Sequence, residues 1–354
     1  MNILRFYDII EDGDFMILRM PSYCKNFKCT ADKCSDNCCI GWEIDIDPSS
    51  AEYYKSIEGA FGERLKKDIA FGETCSFKMK GERCAFLNEN NLCDIIINLG
   101  EDSLCQICRD HPRYFESYSA VKEGGVGLCC EEAARLILSQ TEKFSTYDMP
   151  CDDEGEDGYD EELYDYLIFV REQIIRLIED ESLPLKQRLV SVLCFAHKVQ
   201  DNVDNFRYEK EDPFIVSKGL SIDMRKIKER LLSLEIIDNR WEVYMSRLSK
   251  NYGETERLIC ENKEPDETVS RYLQNIAVYF IWRYFMKAVF DEEIFSKVWL
   301  SVISTLFIER MFVHAYIEGN DMTLELCSYL AKNYSKEIEY SEENLENMEF
   351  SFRE

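Results

Sequence analysis

Twelve of the sixteen cysteines in this chain lie between Cys24 and Cys130, and no other feature constrains its fold as tightly. They come in short groups: Cys29-x4-Cys34-x3-Cys38-Cys39, Cys84-x8-Cys93, Cys105-x2-Cys108 and Cys129-Cys130, with Cys24 and Cys75 standing apart. Thiols this dense either close disulfides in an oxidising compartment or bind metal in a reducing one. The opening "MNILRFYDIIEDGDFMILRM" sets acids where a secretory leader needs an unbroken apolar run. A cytoplasmic location is therefore expected, and metal binding is the better account of the thiols.

Short spacings let one loop present two thiolates to an ion, with further ligands arriving on loops that folding brings near. His111 is the one histidine of this region, so the site is expected to be all sulfur, which means zinc or an iron-sulfur cluster. Spacing alone leaves both open. Three features lean towards iron-sulfur: the paired C-x2-C of a zinc ribbon is missing, the thiols outnumber the needs of one zinc, and "CCIGW" suits a partly dry pocket. Neither G-x-G-x-x-G nor G-x-x-x-x-G-K-[ST] occurs, so no dinucleotide loop or P-loop is offered. The C-x3-C-x2-C of radical S-adenosylmethionine enzymes begins at Cys34 and Cys38 but meets Gly41.

The chain is 354 residues long, more than one hydrophobic core usually serves. Its sharpest compositional break is "CDDEGEDGYDEE", in which eight of the eleven residues from Asp152 to Glu162 are acidic; such a run self-repels and packs poorly. The expected organisation is a cysteine-rich metal domain over residues 1–150, an acidic linker over 151–162 and a helical domain over 163–354. The fold is expected to be mainly α. An irregular, metal-braced N-terminal domain with little strand precedes an all-helical C-terminal bundle.

Several segments carry the evidence for helix. Leu163, Leu167, Val170, Ile174, Leu177 and Ile178 recur at three- and four-residue steps. "SLPLKQRLVSVLCFAHKVQ" reads as a helix with Ser182 as N-cap and Pro184 in its first turn, and "SSAEYYKSIEGAFGERLKKDIA" as one helix capped near Ser49. "EEAARLILSQ", "ETVSRYLQNIAVYFIWRYFMKAVF", "EEIFSKVWLSVISTLFIERMFVHAYI" and "TLELCSYLAKNY" complete the set, while "FMILRM" suits a short strand. The stripe Tyr279, Trp282, Arg283, Phe285, Met286 reads as core, with Arg283 snorkelling or paired. Cys194, Cys260 and Cys327 read as small buried hydrophobes, and His197 and His314 receive no role.

The formal charge of −27, from 69 acids against 42 bases, opposes binding to nucleic acid or to an anionic membrane, both of which need excess Lys and Arg. Lysine-bearing partners are favoured instead. No apolar stretch is free enough of charge to make a good membrane span.

Three ordered motifs, "MPSYCKNFKCTADKCSDNCCIGWEIDID", "CAFLNENNLCDIIINLGEDSLCQICRDHPRYF" and "GLCCEEAARLIL", resemble the flagellin lysine-N-methylase family, and "NIAVYFIWRYF" is similar to that family's second half. The resemblance covers most of the chain. It implies a cytoplasmic enzyme that methylates lysine side chains of flagellin with S-adenosylmethionine and carries a 4Fe-4S cluster, or zinc in its place. Matched residue by residue, the family's thiols fall on Cys29, Cys34, Cys38, Cys39, Cys84, Cys93, Cys105, Cys108 and Cys130, with Cys24, Cys75 and Cys129 left outside the set. A free iron of the cluster that binds the donor's amino and carboxylate groups is one hypothesis. A non-catalytic metal-binding protein and a zinc-braced interaction module are the alternatives. No base, donor-binding residue or oligomeric state is legible.

Overall fold

The apolar stretch at Met16 does form a strand, and its partners come from far along the chain. In the computed structural model, which describes residues 16–41, 43–118, 121–151, 158–216, 222–261 and 267–353, Met16–Pro21 runs parallel to Val121–Val126 and antiparallel to Thr146–Cys151. Arg113–Tyr118 pairs with Val121–Val126 and completes a four-stranded mixed sheet. Strand is therefore more prominent before residue 151 than expected. The alternating pattern that announces a strand is absent from "VKEGGV", whose glycines let neighbouring rings lie flat on the sheet. A Cβ on Gly125 would come within 2.4 Å of the Tyr114 hydroxyl.

Between the first strand and the rest of its sheet, residues 22–112 form an excursion with its own small core. Asp47 accepts from Ser50 N–H and caps the helix Pro48–Ser56; a second helix, Gly59–Asp68, follows. One helix was expected here. The chain breaks at Ile57 and Glu58 and turns at Gly59, whose φ of +82° is left-handed. Ile44, Tyr54, Leu65, Phe77, Phe86, Ile95, Cys84 and Cys105 fill the core of this region, with Cys39, Cys75, Cys93 and Cys108 packed against it.

The remainder is helical, and the protein as a whole is mainly α. The expected helices stand at Glu161–Ile178, Leu185–Val203, Glu267–Tyr284, Ile294–Ile317 and Leu324–Glu339. Met224–Ser233, Asn239–Cys260 and Glu342–Glu349 join them. Asp160 caps the first of these; Ser182 does not cap the second, because it bonds Asp180 and leaves Pro184 at the N-cap. Ile294–Ile317 is long and apolar enough to cross a membrane, but 89% of its most apolar window is buried inside the protein. It is the central helix of the bundle. The sheet is packed into the same helical cores: Met20, Val126 and Leu128 join Phe280, Phe307 and Tyr334, and Tyr118 joins Leu167 and Ile281. Residues 152–157, half of the expected linker, lie outside the described residues, as do Trp42 of "CCIGW" and the first fifteen residues, while Cys151 ends a strand and Glu161 and Glu162 begin a helix.

Candidate thiol site and the adjoining cleft

Backbone pairing, more than helix or sheet, gathers the thiols. Cys84 N–H donates to the Cys39 carbonyl at 2.9 Å, and an isolated bridge joins Ile40 to Arg83. Leu87 pairs with Cys93 in the same way, and Asp94 N–H reaches the Phe86 carbonyl at 2.8 Å. Cys105 stands at the start of Gln106–Asp110, where the second oxygen of Asp47 accepts Gln106 N–H at 2.9 Å. Arg64 clips the outside, donating to Asp94 at 2.7 Å and to the Ala85 carbonyl at 2.9 Å. Three separate segments thus bring Cys39, Cys84, Cys93, Cys105 and Cys108 onto one core.

Their electrostatics show that they face one another. Cys39 feels the charges of Cys38, Cys93 and Cys84, while Cys108 feels those of Cys105, Cys39 and Cys93. Two pairs share protons. A hydrogen bond from Cys39 lowers the Cys38 thiol to about 7 and keeps Cys39 protonated; a hydrogen bond from Cys108 lowers Cys105 and raises Cys108. Burial raises Cys84 and Cys93. The hydroxyl of Tyr54, fully buried beside Cys105 and Cys108, is tied off on the Ser103 carbonyl at 2.7 Å.

The other expected ligands lie elsewhere. Cys34 and Cys130 interact with each other, on the side where Glu131 accepts from Ser35 N–H at 2.9 Å. Cys29 is exposed and accepts only a long contact from Ala31 N–H at 3.4 Å. Cys129, left outside the expected set, is buried next to Cys130, and burial pushes it up to about 11. Cys24 is buried in the helical core and Cys75 packs at the edge of the small one. Among the described residues no three Cys, His, Asp or Glu side chains are drawn together at metal-ligand spacing. The donor chemistry nonetheless fits a sulfur-bound group: five thiols from three segments around a small apolar core, with no histidine among them.

A cleft of about 880 Å³ opens beside the first thiol loop. Cys34, Asp36, Ile40 and Gly41 line it together with Glu43, Glu82, Arg83 and His111; Asp238, Arg240, Lys336 and Tyr340 supply the helical wall. Asp36 ties the two walls. It accepts from fully buried Lys332 at 2.8 Å and from Lys336 at 3.2 Å, and Arg240 approaches to 3.5 Å. The two lysines hold its carboxyl well below the usual range despite burial. Tyr340, on the helical side, hydrogen-bonds with Cys129 and meets the His111 ring edge-on at 6.3 Å. Burial, reinforced by Arg283 and Lys336, drives His111 down to about 4, so the ring is neutral at pH 7.

Below Tyr340 lies a buried polar cluster that sequence reading reached only in part. Arg283 pairs with fully buried Glu339 at 2.9 Å and stacks over Tyr114 at 4.4 Å, while the Tyr279 and Tyr284 hydroxyls donate to Glu339 at 2.9 and 2.8 Å. Tyr279, Trp282, Phe285 and Met286 are core, and Arg283 is paired. Gly127 is required here: a Cβ would meet Cys129 Sγ at 2.9 Å and Arg283 Nη1 at 3.0 Å. The cleft residues Asp36, Lys336 and Arg240, and Lys332 buried behind them, carry no motif in the sequence. The signals were faint: an acid inside the first thiol group, and two lysines four residues apart on one helix.

Residues 171–354 match the FliB lysine N-methylase C-terminal domain. The flagellar biosynthetic protein FliU of Salmonella muenchen is 27% identical over 127 residues, which is 34% of this chain and 75% of that protein. A lysine-N-methylase of Salmonella choleraesuis (strain SC-B67) is 26% identical over 127 residues, 34% of this chain and 32% of its own length. The lysine-N-methylase of Salmonella typhimurium is similar to the same extent. The chain thus spans about a third of the length of these two lysine-N-methylases. No solved structure matches. The domain match takes in more than half of the 354 residues, including both lysines that hold Asp36 and the Arg283–Glu339 pair, and the chain belongs to the FliB lysine N-methylase family.

Proposed function

We propose that the chain is a protein-lysine N-methyltransferase that transfers the methyl group of S-adenosylmethionine to lysine side chains of flagellin in the cytoplasm. The observation that carries this reading is the cleft: it has room for a nucleoside, and one of its walls belongs to the helical part matched to the FliB family. The relatives' names supply the lysine and the flagellar context.

Methyl transfer to nitrogen is an in-line displacement, so the donor carbon and a neutral amine must be held about 3 to 3.5 Å apart. The protein's part is to position both and to favour the deprotonated amine. The aromatic edge made by Tyr340 and neutral His111 offers a place where an amine meets no added positive charge from the ring. Cys39, Cys84, Cys93, Cys105 and Cys108 would hold a 4Fe-4S cluster, or zinc in its place, behind the cysteine-rich wall. When bound, that group would cross-link the loops that shape the wall. Cys29, Cys34, Cys38 and Cys130 remain nearer the cleft or the surface and serve as the outer members of the set.

Co-expression with flagellin followed by intact-mass measurement tests the activity. Increments of one methyl group that require this chain support it, and unmodified flagellin rejects it. A zinc-braced interaction module is the second reading, favoured by the burial of Cys84 and Cys105 in a core of their own. Anaerobic purification separates the two: brown protein with acid-labile sulfide supports the cluster, and colourless protein with stoichiometric zinc supports the brace.

A further inference from the structure

The two walls of the cleft differ in charge. Three cations of the helical side, Lys332, Lys336 and Arg240, surround two carboxylates, Asp238 of the same side and Asp36 reaching across from the thiol loop: Lys332 to Asp36 at 2.8 Å, Lys336 to Asp36 at 3.2 Å and to Asp238 at 3.8 Å, Arg240 to Asp238 at 2.5 Å. This network carries one more positive than negative charge in a chain whose net charge is −27. Glu337, on the same helix as both lysines, is turned to the backbone, accepting Ile237 and Asp238 N–H groups at 2.9 and 3.2 Å, and burial lifts it to about 7. On the cysteine-rich side stand Glu43, which accepts from Ser76 at 2.8 Å, and Glu82. Arg83 on that wall is committed to its own loop through the Asn88 carbonyl at 2.8 Å and Asn91 at 2.9 Å.

We infer that the cleft takes the zwitterionic amino-acid end of a ligand, its carboxylate on Lys336 and Arg240 and its ammonium towards Glu43 and Glu82. A surplus cation in a half-buried network is offset by one incoming carboxylate, and charge-assisted hydrogen bonds to it are stronger than neutral ones. A wall of opposite sign opposite fixes the ligand's direction. A lysine inside a protein has no free α-carboxylate, so this end of the cleft suits the methyl donor rather than the methyl acceptor. The inference rests on the donor reading above and replaces metal-bound iron with protein cations as the anchor of the donor's carboxylate.

Calorimetry on the metal-loaded full chain, with S-adenosylhomocysteine and with methylthioadenosine, which lacks the amino-acid end, tests it. The wild type is expected to prefer S-adenosylhomocysteine. Lys336→Met and Arg240→Met are each expected to weaken that ligand about tenfold and to leave methylthioadenosine unchanged. Arg240 is 56% exposed on its side chain, so its variant carries little risk to folding. Glu82→Gln is expected to weaken only S-adenosylhomocysteine. If S-adenosylhomocysteine binds every variant as it binds the wild type, the carboxylate is anchored elsewhere and the inference is overturned while the donor reading stands. If neither nucleoside binds the wild type, the donor reading falls and takes the inference with it.

Discussion

The helical part and the thiol region hold themselves together by different means. Among the described residues, two large cores of thirty-six and twenty-six buried residues run through the helices and the sheet, whereas the thiol region has a separate core of fourteen, two of them cysteines. Burial of apolar surface contributes roughly 25 cal/mol per Å², so the larger cores are self-sufficient and the smaller one is marginal. The contrast teaches where chemistry can be added cheaply. A region that cannot fold well on burial alone gains most from a bound group, and it is there that the thiols collect.

Chelation is the strongest way to break this comparison. Removing a structural metal withdraws on the order of 10 kcal/mol from the region that depends on it. Stripped protein is expected to be cut by protease within residues 43–108 while its far-ultraviolet helical signal persists; simultaneous loss of both would make the two regions one unit. Next in size is Arg283→Met, which strands the buried carboxylate of Glu339 and is expected to cost about 3–5 kcal/mol in urea unfolding. Adding Glu339→Gln to that variant should restore part of the loss. The core itself is then intact, which sharpens the claim that burial carries this part.

Asp36→Asn tests the seam. It removes the charge partner of fully buried Lys332, and a cost of about 2 kcal/mol is expected, with thermal melting resolving into two transitions. A single unshifted transition would show that the seam does not couple the regions. The smallest effect belongs to Glu337. Its carboxyl, raised to about 7 from an ordinary 4.5, favours the protonated form in the folded state. Stability from this group is therefore complete below its unfolded value and is lost as pH rises through about 7. Glu337→Gln is expected to gain on the wild type by roughly 1–2 kcal/mol between pH 5 and pH 8. A difference independent of pH would refute the assignment.

The elements that were readable in the sequence are those whose cause is local. The 161–178 helix follows from its apolar steps and from Asp160 at its start. The thiol groups announce themselves by spacing, whereas Cys75, which stands apart in the sequence, packs against the same core as Cys39, Cys84, Cys93, Cys105 and Cys108. Ser182 misled because a hydroxyl before a proline resembles a cap, while Asp180 captures it first. Gly59 was hidden inside a helical composition, and only its left-handed backbone divides the two short helices. The pairings of the first strand, the Asp36 seam and the Arg283–Glu339 pair join residues from 56 to more than 100 positions apart along the chain, and no local pattern encodes such meetings.

The first strand has a consequence for the order of assembly. Ile17 must wait for Val121 and for Pro150, its two neighbours in the sheet, while the excursion of residues 22–112 lies wholly between Ile17 and Val121 in the chain. On the ribosome the cysteine loops emerge before either partner strand exists, and contacts of such long sequence separation form late. The loops can therefore take up a bound group, and acquire their shape, before the sheet closes around their two ends. Once it has closed, the thiol region is a lobe held at its neck, and a group bound there, as proposed above, would set the shape of the wall facing the cleft before the neck is fastened.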